Sequence, residues 1–363
     1  MKSVWINGDY HLLEDYIKDA CRIDNLPVFE KEILSFIIEW KAGKDIFHLK
    51  SSGTTGSPKI ITLHRDQMIL SAESTLNFLG IPTGGKALLC LDPRYIAGKM
   101  VIVRSITGNM DLYAIDPKSN PLSGFEPDHL IDLASFVPYQ VVEILEDPET
   151  SDKFRNIKNV LIGGAAISTR LEKKLGPYEN RIFHTFGMTE TVSHIALRQL
   201  SGLEQSRNFR VMPGISIGSD ERGCLTIEGE ITGNKKLLTN DLVKIMDEGE
   251  FVWKGRIDQV INTGGIKINL NSLEYKIREV LESISIHNNF FIEHIEDEKL
   301  GDKIVLILES GYVNINLESI KAAFKKRLSK YEIPRKIYVV QKFSRTDTGK
   351  INRKLIIEQI PGI

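Results

Sequence analysis

Four short apolar runs limit the architecture more than any other feature of this chain: ALLCL (87–91), VLIGG (160–164), RIFHTF (181–186) and KIVLIL (303–308). Each reads as a buried strand. Elsewhere apolar residues return every three or four positions, as Leu12, Leu13, Tyr16 and Ile17 and then Ile33, Phe36, Ile37 and Trp40 do within 11–42, and again over 65–79. Strands alternating with amphipathic helices predict an α/β class rich in parallel sheet. From about residue 210 the texture changes to Gly-punctuated strands (GCLTIEG, KLLTNDLVKIMDEGEFVWKG), which predict a small antiparallel or barrel-like β part. After GRIDQVINTGG the pattern becomes α+β, with helices over 271–282 and 317–328 and a basic tail. No internal repeat is present. A chain of 363 residues exceeds one ordinary domain, so we expect a large domain over 1–257 and a small mobile one over 258–363.

Charge narrows the function. With 47 Lys+Arg against 48 Asp+Glu, nothing provides the broad positive surface that nucleic acid or an anionic membrane requires. Small molecules are the expected partners. Cys21, Cys90 and Cys224 are far apart and odd in number, which fits reduced thiols in a cytoplasmic protein better than a disulfide framework or a zinc site. No run approaches the ~20 apolar residues of a membrane span.

The segment SSGTTGSPK at 51–59 combines hydroxyls, glycines and a lysine. Backbone N–H groups of a Gly-rich turn form a nest for an anion, hydroxyls add donors and lysine adds charge. It is no Walker loop, since a second Gly would be needed where Pro58 stands, and no G-x-G-x-x-G occurs. Alone, it reads equally well as a solvated surface turn.

Four further segments follow it in order: FGMTE (186–190), TND (239–241), GRIDQVINTGGIKI (255–268) and SRTDTGKINRK (344–354). Together the five resemble the motifs of the adenylate-forming superfamily, which holds acyl-CoA ligases, peptide-synthetase adenylation domains and luciferases. The resemblance runs from about residue 45 onward. It implies that a carboxylate attacks the α-phosphate of ATP, giving an acyl adenylate and pyrophosphate, and that a thiol then takes the acyl group.

What the resemblance implies for individual residues follows the same order. Ser52, Gly53, Thr54, Thr55 and Gly56 would hold the β- and γ-phosphates, with Lys59 adding charge. Gly164 and Ala165, in the turn GGAAIS (163–168), would lie against adenine, and Phe186, Gly187 and Met188 would border the nucleotide. Thr189 would contact the α-phosphate, and Glu190 would hold Mg²⁺ as a hard oxygen ligand. Asp241 would accept from the ribose hydroxyls with support from Arg256. Lys350 would bring its ammonium to the reacting phosphate. Asp258 aligns with the pivot of the small domain, while Gly264 and Gly265 would let the backbone pass the pantetheine arm of coenzyme A.

The chain departs from the family pattern at several places. Phe186 stands for the usual Tyr, His184 for the Asn that often reads the adenine amino group, Asn240 for Gly and Ser344 for Pro. Only fifty residues precede the phosphate loop, where family members have well over a hundred. The short front, with DPRYIAGKMVIVR (92–104) and GMTETVSHIALRQL (187–200), looks most like the compact o-succinylbenzoate-CoA ligases of menaquinone biosynthesis. That substrate keeps a second, ring carboxylate. Arg104, Lys99 and Arg94 are therefore candidates to meet it, and Ser193 and His194 to line its pocket. Another aryl or short acyl acid stays open, as does a non-catalytic nucleotide-binding module.

Overall fold

The computed structural model describes residues 1–20, 26–50, 60–126, 130–247, 249–297, 301–311, 315–345 and 351–361. Ser52, Gly53, Thr54, Thr55, Gly56, Lys59 and Lys350 lie outside the described residues. Two compact units emerge, one of Met1–Gly218, Thr226–Leu237 and Ile245–Val252, the other of Ser219–Leu225, Leu238–Lys244 and Trp253–Ile363.

In the first unit, six strands run parallel side by side: Arg181–Gly187, Asn159–Ile162, Leu133–Phe136, Lys86–Leu89, Asp111–Ala114 and Ser3–Ile6. Three of the apolar runs are here. Alternate side chains serve opposite faces of a strand, and the Lys86–Leu89 strand shows it: Ala87 and Leu89 enter one buried cluster, Leu88 and neighbouring Cys90 another. The first cluster includes residues of helices Val28–Lys41, Arg65–Leu79 and Ile96–Thr107; the second takes those of Pro138–Glu146, Pro148–Arg155 and Thr169–Leu175. Sheet faces covered on both sides are why these strands lack polar alternation.

Beyond Arg181–Gly187 the sheet turns antiparallel through His194–Gln199, then Phe209–Val211, then the first residues of Glu250–Arg256. The far edge carries a hairpin of Ser3–Ile6 with Asp9–Leu12, turned at Asn7 (φ 49°) and Gly8 (φ 104°). The expected helical stretch over 11–42 is two helices, Leu13–Ala20 and Val28–Lys41, the second preceded by Pro27.

In the second unit, Ile266–Asn269, Val260–Thr263, Gly301–Glu309 and Phe290–Asp297 form an antiparallel sheet, and Lys336–Val340 joins Gly301–Glu309 in parallel. The fourth apolar run is its middle strand. Ile304, Leu306 and Leu308 pack with helices Leu270–Glu282 and Leu317–Arg327, while Val305 and Ile307 pack with Phe343 and Ile356. What reads as a basic tail thus supplies a strand and the helix Arg353–Glu358. No helix among the described residues is long and apolar enough to cross a membrane.

Candidate active site

The strand Arg181–Gly187 ends in a turn whose geometry rests on two unusual residues. Gly187 approaches the returning chain so closely that a Cβ would lie 2.3 Å from Ser193 O and 2.5 Å from His194 Cα. No other residue fits there. After the short 3₁₀ turn Thr189–Thr191, Val192 takes φ 63° and ψ −51°, and Ser193 N–H donates to Thr191 O across 2.6 Å. This is the positive-φ γ-turn, a strained form for a β-branched residue. Thr191, fully buried, braces it: its hydroxyl accepts from Met188 N–H at 3.1 Å and lies 2.8 Å from Ser193 O. The turn leaves the Glu190 side chain exposed, with no partner among the described residues.

Behind this turn lies a buried cation. Arg104, on helix Ile96–Thr107, is 2 % exposed, donates from Nη2 to Ser193 Oγ at 2.8 Å, and leaves its Nε without a partner among the described residues. Among the described residues no carboxylate pairs with it. Burial pulls its guanidinium down to about 10, still charged at neutral pH. Ser193 Oγ lies 3.5 Å from His194 Nδ1, and His194 Nε2 lies 3.1 Å from Thr75 Oγ1. Thr75 spends its one proton on Ser71 O at 2.8 Å, so His194 must be the donor from Nε2. The polar chain therefore runs Arg104 to Ser193, and His194 to Thr75 to the helix backbone. Burial and the Arg104 charge hold His194 well below its ordinary range, hence neutral.

The other two candidate cations point elsewhere. Arg94 pairs with Asp92 at 2.6 Å, and Lys99 sits 4.9 Å from the Phe36 ring centroid, its ammonium pulled down by burial. Only Arg104 is brought to Ser193 and His194.

On the nucleotide side of the expectation, Phe186 is held edge-on by Phe209 (5.6 Å) and Phe251 (5.1 Å). His184 bonds the Ala165 backbone, and its Nδ1 accepts from Arg198 Nη2 at 3.3 Å, while Arg198 also pairs with Glu172. Burial, then the Arg198 charge, pushes His184 down to about 3. Its ring is committed on both nitrogens, and Gly164 and Ala165 stand exposed in the adjoining turn.

The second unit holds its own cluster. Asp241, 7 % exposed, accepts from Trp253 Nε1 at 2.8 Å, and its other oxygen lies 3.8 Å from Arg256 Nη1. Burial raises the Asp241 carboxyl, and the indole and the guanidinium oppose that rise. Arg256 forks onto Asp258 through Nε (2.9 Å) and Nη2 (2.6 Å), which holds the Asp258 carboxyl down. Asn240 Nδ2 reaches the same carboxylate at 3.5 Å. Gly264 (φ 59°) and Gly265 (φ 82°) form the two-residue turn of the Val260–Thr263/Ile266–Asn269 hairpin, a turn type that needs positive φ twice.

Thr75, Thr191, Val192 and Trp253 were not legible as site residues. For Trp253 a faint signal exists, since it alternates with Phe251 and Gly255 along a strand leading into Arg256. For Val192 there is none, because valine gives no hint of positive φ.

Glu190 fits a Mg²⁺ ligand: it is a hard, unpaired carboxylate, and Mg²⁺ is commonly held by one or two carboxylates plus substrate phosphates and water. Among the described residues no group of three or more His, Cys, Asp or Glu forms a dedicated cage.

Comparison with known proteins gives a consistent picture. A family model described as AMP-binding enzyme matches residues 45–229. A solved structure from Dyadobacter fermentans, described as an acyl-CoA synthetase (AMP-forming)/AMP-acid ligase II-like protein, is 38% identical, with TM-score 0.62, covering 94% of this chain and 97% of that one. The 2-succinylbenzoate–CoA ligase of Staphylococcus epidermidis is 25% identical over 333 residues, 84% of this chain and 68% of its own. The o-succinylbenzoate CoA synthetase of Bacillus subtilis, solved with its acyl-adenylate intermediate, shares the fold at TM-score 0.68 and 22% identity, over 85% of this chain and 68% of that one.

Proposed function

We propose that this chain, which belongs to the AMP-binding enzyme family, is an ATP-dependent acid–CoA ligase acting on o-succinylbenzoate. In the first half-reaction the succinyl carboxylate attacks the α-phosphorus of ATP, the bond to the β-phosphate oxygen breaks, and pyrophosphate leaves. In the second, the thiol of coenzyme A attacks the acyl carbon, AMP leaves, and the thiol proton is released.

The observation that carries the choice of acid is Arg104: a buried guanidinium with no carboxylate partner among the described residues, beside the Gly187–Ser193 turn. An unpaired buried charge is costly, and an anionic substrate group offsets that cost. The ring carboxylate of o-succinylbenzoate is such a group. The similarity to 2-succinylbenzoate–CoA ligases supports the same acid.

The remaining assignments follow the family's chemistry. Thr189 bonds the α-phosphate, and Gly164, Ala165, Gly187 and Met188 border the nucleotide. Because His184 is committed to Ala165 and Arg198, base recognition falls to backbone groups and the Phe186 ring. Asp241 takes the ribose hydroxyls. Bound at Glu190, Mg²⁺ supplies charge neutralisation on the phosphates. Ser52 to Gly56, Lys59 and Lys350 act on the phosphates, and the backbone at Asp258 changes torsion between half-reactions. Gly264 and Gly265 border the path of the pantetheine arm. Two unbonded thiols, Cys90 and Cys224, suit the reducing cytoplasm, where we place the protein.

The test is AMP and pyrophosphate formation by purified protein with ATP, Mg²⁺, coenzyme A and a panel of acids. Turnover of o-succinylbenzoate at the highest kcat/KM supports the reading. Preference for a monocarboxylic acid overturns it, and ADP as product would remove the whole reaction class.

A further inference from the structure

Helix Arg65–Leu79 turns one face toward a cavity of about 250 Å³ in the first unit. Ser71 and Ser74, one helical turn apart, line it; Ser71 is 3 % exposed, and neither hydroxyl has a hydrogen-bond partner among the described residues. Buried hydroxyls are nearly always bonded, to protein, water or ligand, so two together over open space offer donors to whatever fills it. Met212 and Ile231 supply apolar wall, and His194 closes the cavity on the side of the Gly187 turn.

We propose that this cavity takes the uncharged body of the acid substrate, with the Ser71 and Ser74 hydroxyls donating to a carbonyl oxygen in that body. The inference rests on the ligase reading above and adds where specificity resides. Among the described residues no lysine or arginine lines the cavity, and the exposed Glu230 stands among its lining residues, so a carboxylate is disfavoured there while a ketone and a ring are accepted. The anion goes instead to Arg104, which donates to Ser193 Oγ and is not among the residues lining the cavity. His194, neutral and donating to Thr75, presents a ring without charge to the substrate. A volume of about 250 Å³ falls below the ~300–1,000 Å³ common for ligand sites, which admits one ring or a short chain and excludes long acyl tails.

The test uses full-length protein and two acids, o-succinylbenzoate and its analogue with the keto oxygen replaced by hydrogens, with pyrophosphate release as the readout. Ser71→Ala removes the donor without adding bulk to the cavity; it should raise KM for the keto acid about fivefold and leave KM for the analogue within twofold. Ser74→Phe should raise KM for both acids at least tenfold with KM for ATP within twofold. If Ser74→Phe fails to fold, Ser74→Leu replaces it. Equal effects of Ser71→Ala on both acids, or an unchanged acid KM in the filled variant, overturn the proposal. If wild-type protein uses a different acid, the ligase reading is corrected while the same filled variant judges the cavity with that acid. If no acid turns over, saturation-transfer NMR of o-succinylbenzoate decides: signal lost in the filled variant supports the cavity, and equal signal overturns it.

Discussion

The indole N–H of Trp253 donates to Asp241 Oδ1 across 2.8 Å, inside the cluster where Arg256 forks onto Asp258. One carboxylate oxygen is thereby fixed, and the other would take the ribose hydroxyl in the role proposed for Asp241. A hydrogen bond to a charged group contributes roughly 1.5–3 kcal/mol. Trp253→Phe should therefore raise KM for ATP at least tenfold while leaving KM for the acid within twofold. The bond also opposes the rise of the Asp241 carboxyl caused by burial. Its loss should move the acid limb of kcat/KM to higher pH, because the proposed ribose contact requires an ionised Asp241. An unshifted limb and an unchanged KM would remove Trp253 from the site.

Arg104 should show function and stability in opposition. Arg104→Met removes the proposed partner of the substrate's second anion, a loss of about 2–5 kcal/mol in such pairs, so KM for o-succinylbenzoate should rise thirtyfold or more by steady-state kinetics. The same change replaces a buried charge lacking a carboxylate by a hydrocarbon of similar volume, which in comparable sites is neutral or stabilising by about 1–4 kcal/mol. Urea denaturation should find the variant at least as stable as wild type. A marked loss of stability would mean that the Ser193 contact, and not substrate, is what Arg104 serves.

Two histidines make stability fall with acid. His184 and His194 are both depressed by burial and by a neighbouring arginine, to about 3 and well below the ordinary range respectively. The unfolded chain binds those protons first, near pH 6.5, so stability is full above that pH and is lost as pH falls below it. Each contributes a slope of about 1.4 kcal/mol per pH unit below that point. Urea midpoints at pH 7, 6 and 5 should show the decline, and His194→Gln should remove about one proton's share of it. A slope untouched by this variant would show that His194 titrates normally.

Val192 allows backbone strain to be separated from packing. At φ 63° and fully buried, it pays for its conformation and gains from its contacts. Both Val192→Ala and Val192→Gly lose those contacts, but only glycine relieves the backbone. In ordinary positions Ala exceeds Gly by about 0.5–1 kcal/mol. Here the order should invert, with Val192→Gly the more stable of the two in denaturant unfolding.

The role proposed for Lys350 is confined to the first half-reaction. Lys350→Ala should cut acyl-adenylate formation a hundredfold or more, from the ~3 kcal/mol that one such charge supplies to a transition state, and leave thioester formation from synthetic o-succinylbenzoyl-AMP near wild type. Equal damage to both halves, read by pyrophosphate release and by thioester yield, would contradict that division.

The sequence by itself determined the class of fold and the family. Strand runs such as VLIGG and RIFHTF, buried on both faces, cannot be satisfied without helices on either side, and five short motifs in fixed order leave little freedom for the chemistry. Helix Arg65–Leu79 was legible to the residue from its apolar period, and in the structure Gly80 caps it in the left-handed conformation. Tertiary structure decided which of several like residues meet. Arg94, Lys99 and Arg104 are equivalent cations in sequence; helix Ile96–Thr107 buries only the last against Ser193, while Asp92 and Phe36 take the other two. The pairing of Trp253 with Asp241, the turn at Val192 and the open hydroxyls of Ser71 and Ser74 depend on contacts between distant segments. Local periodicity carries no record of those distances, since it reports which face a residue is on and not what that face is pressed against.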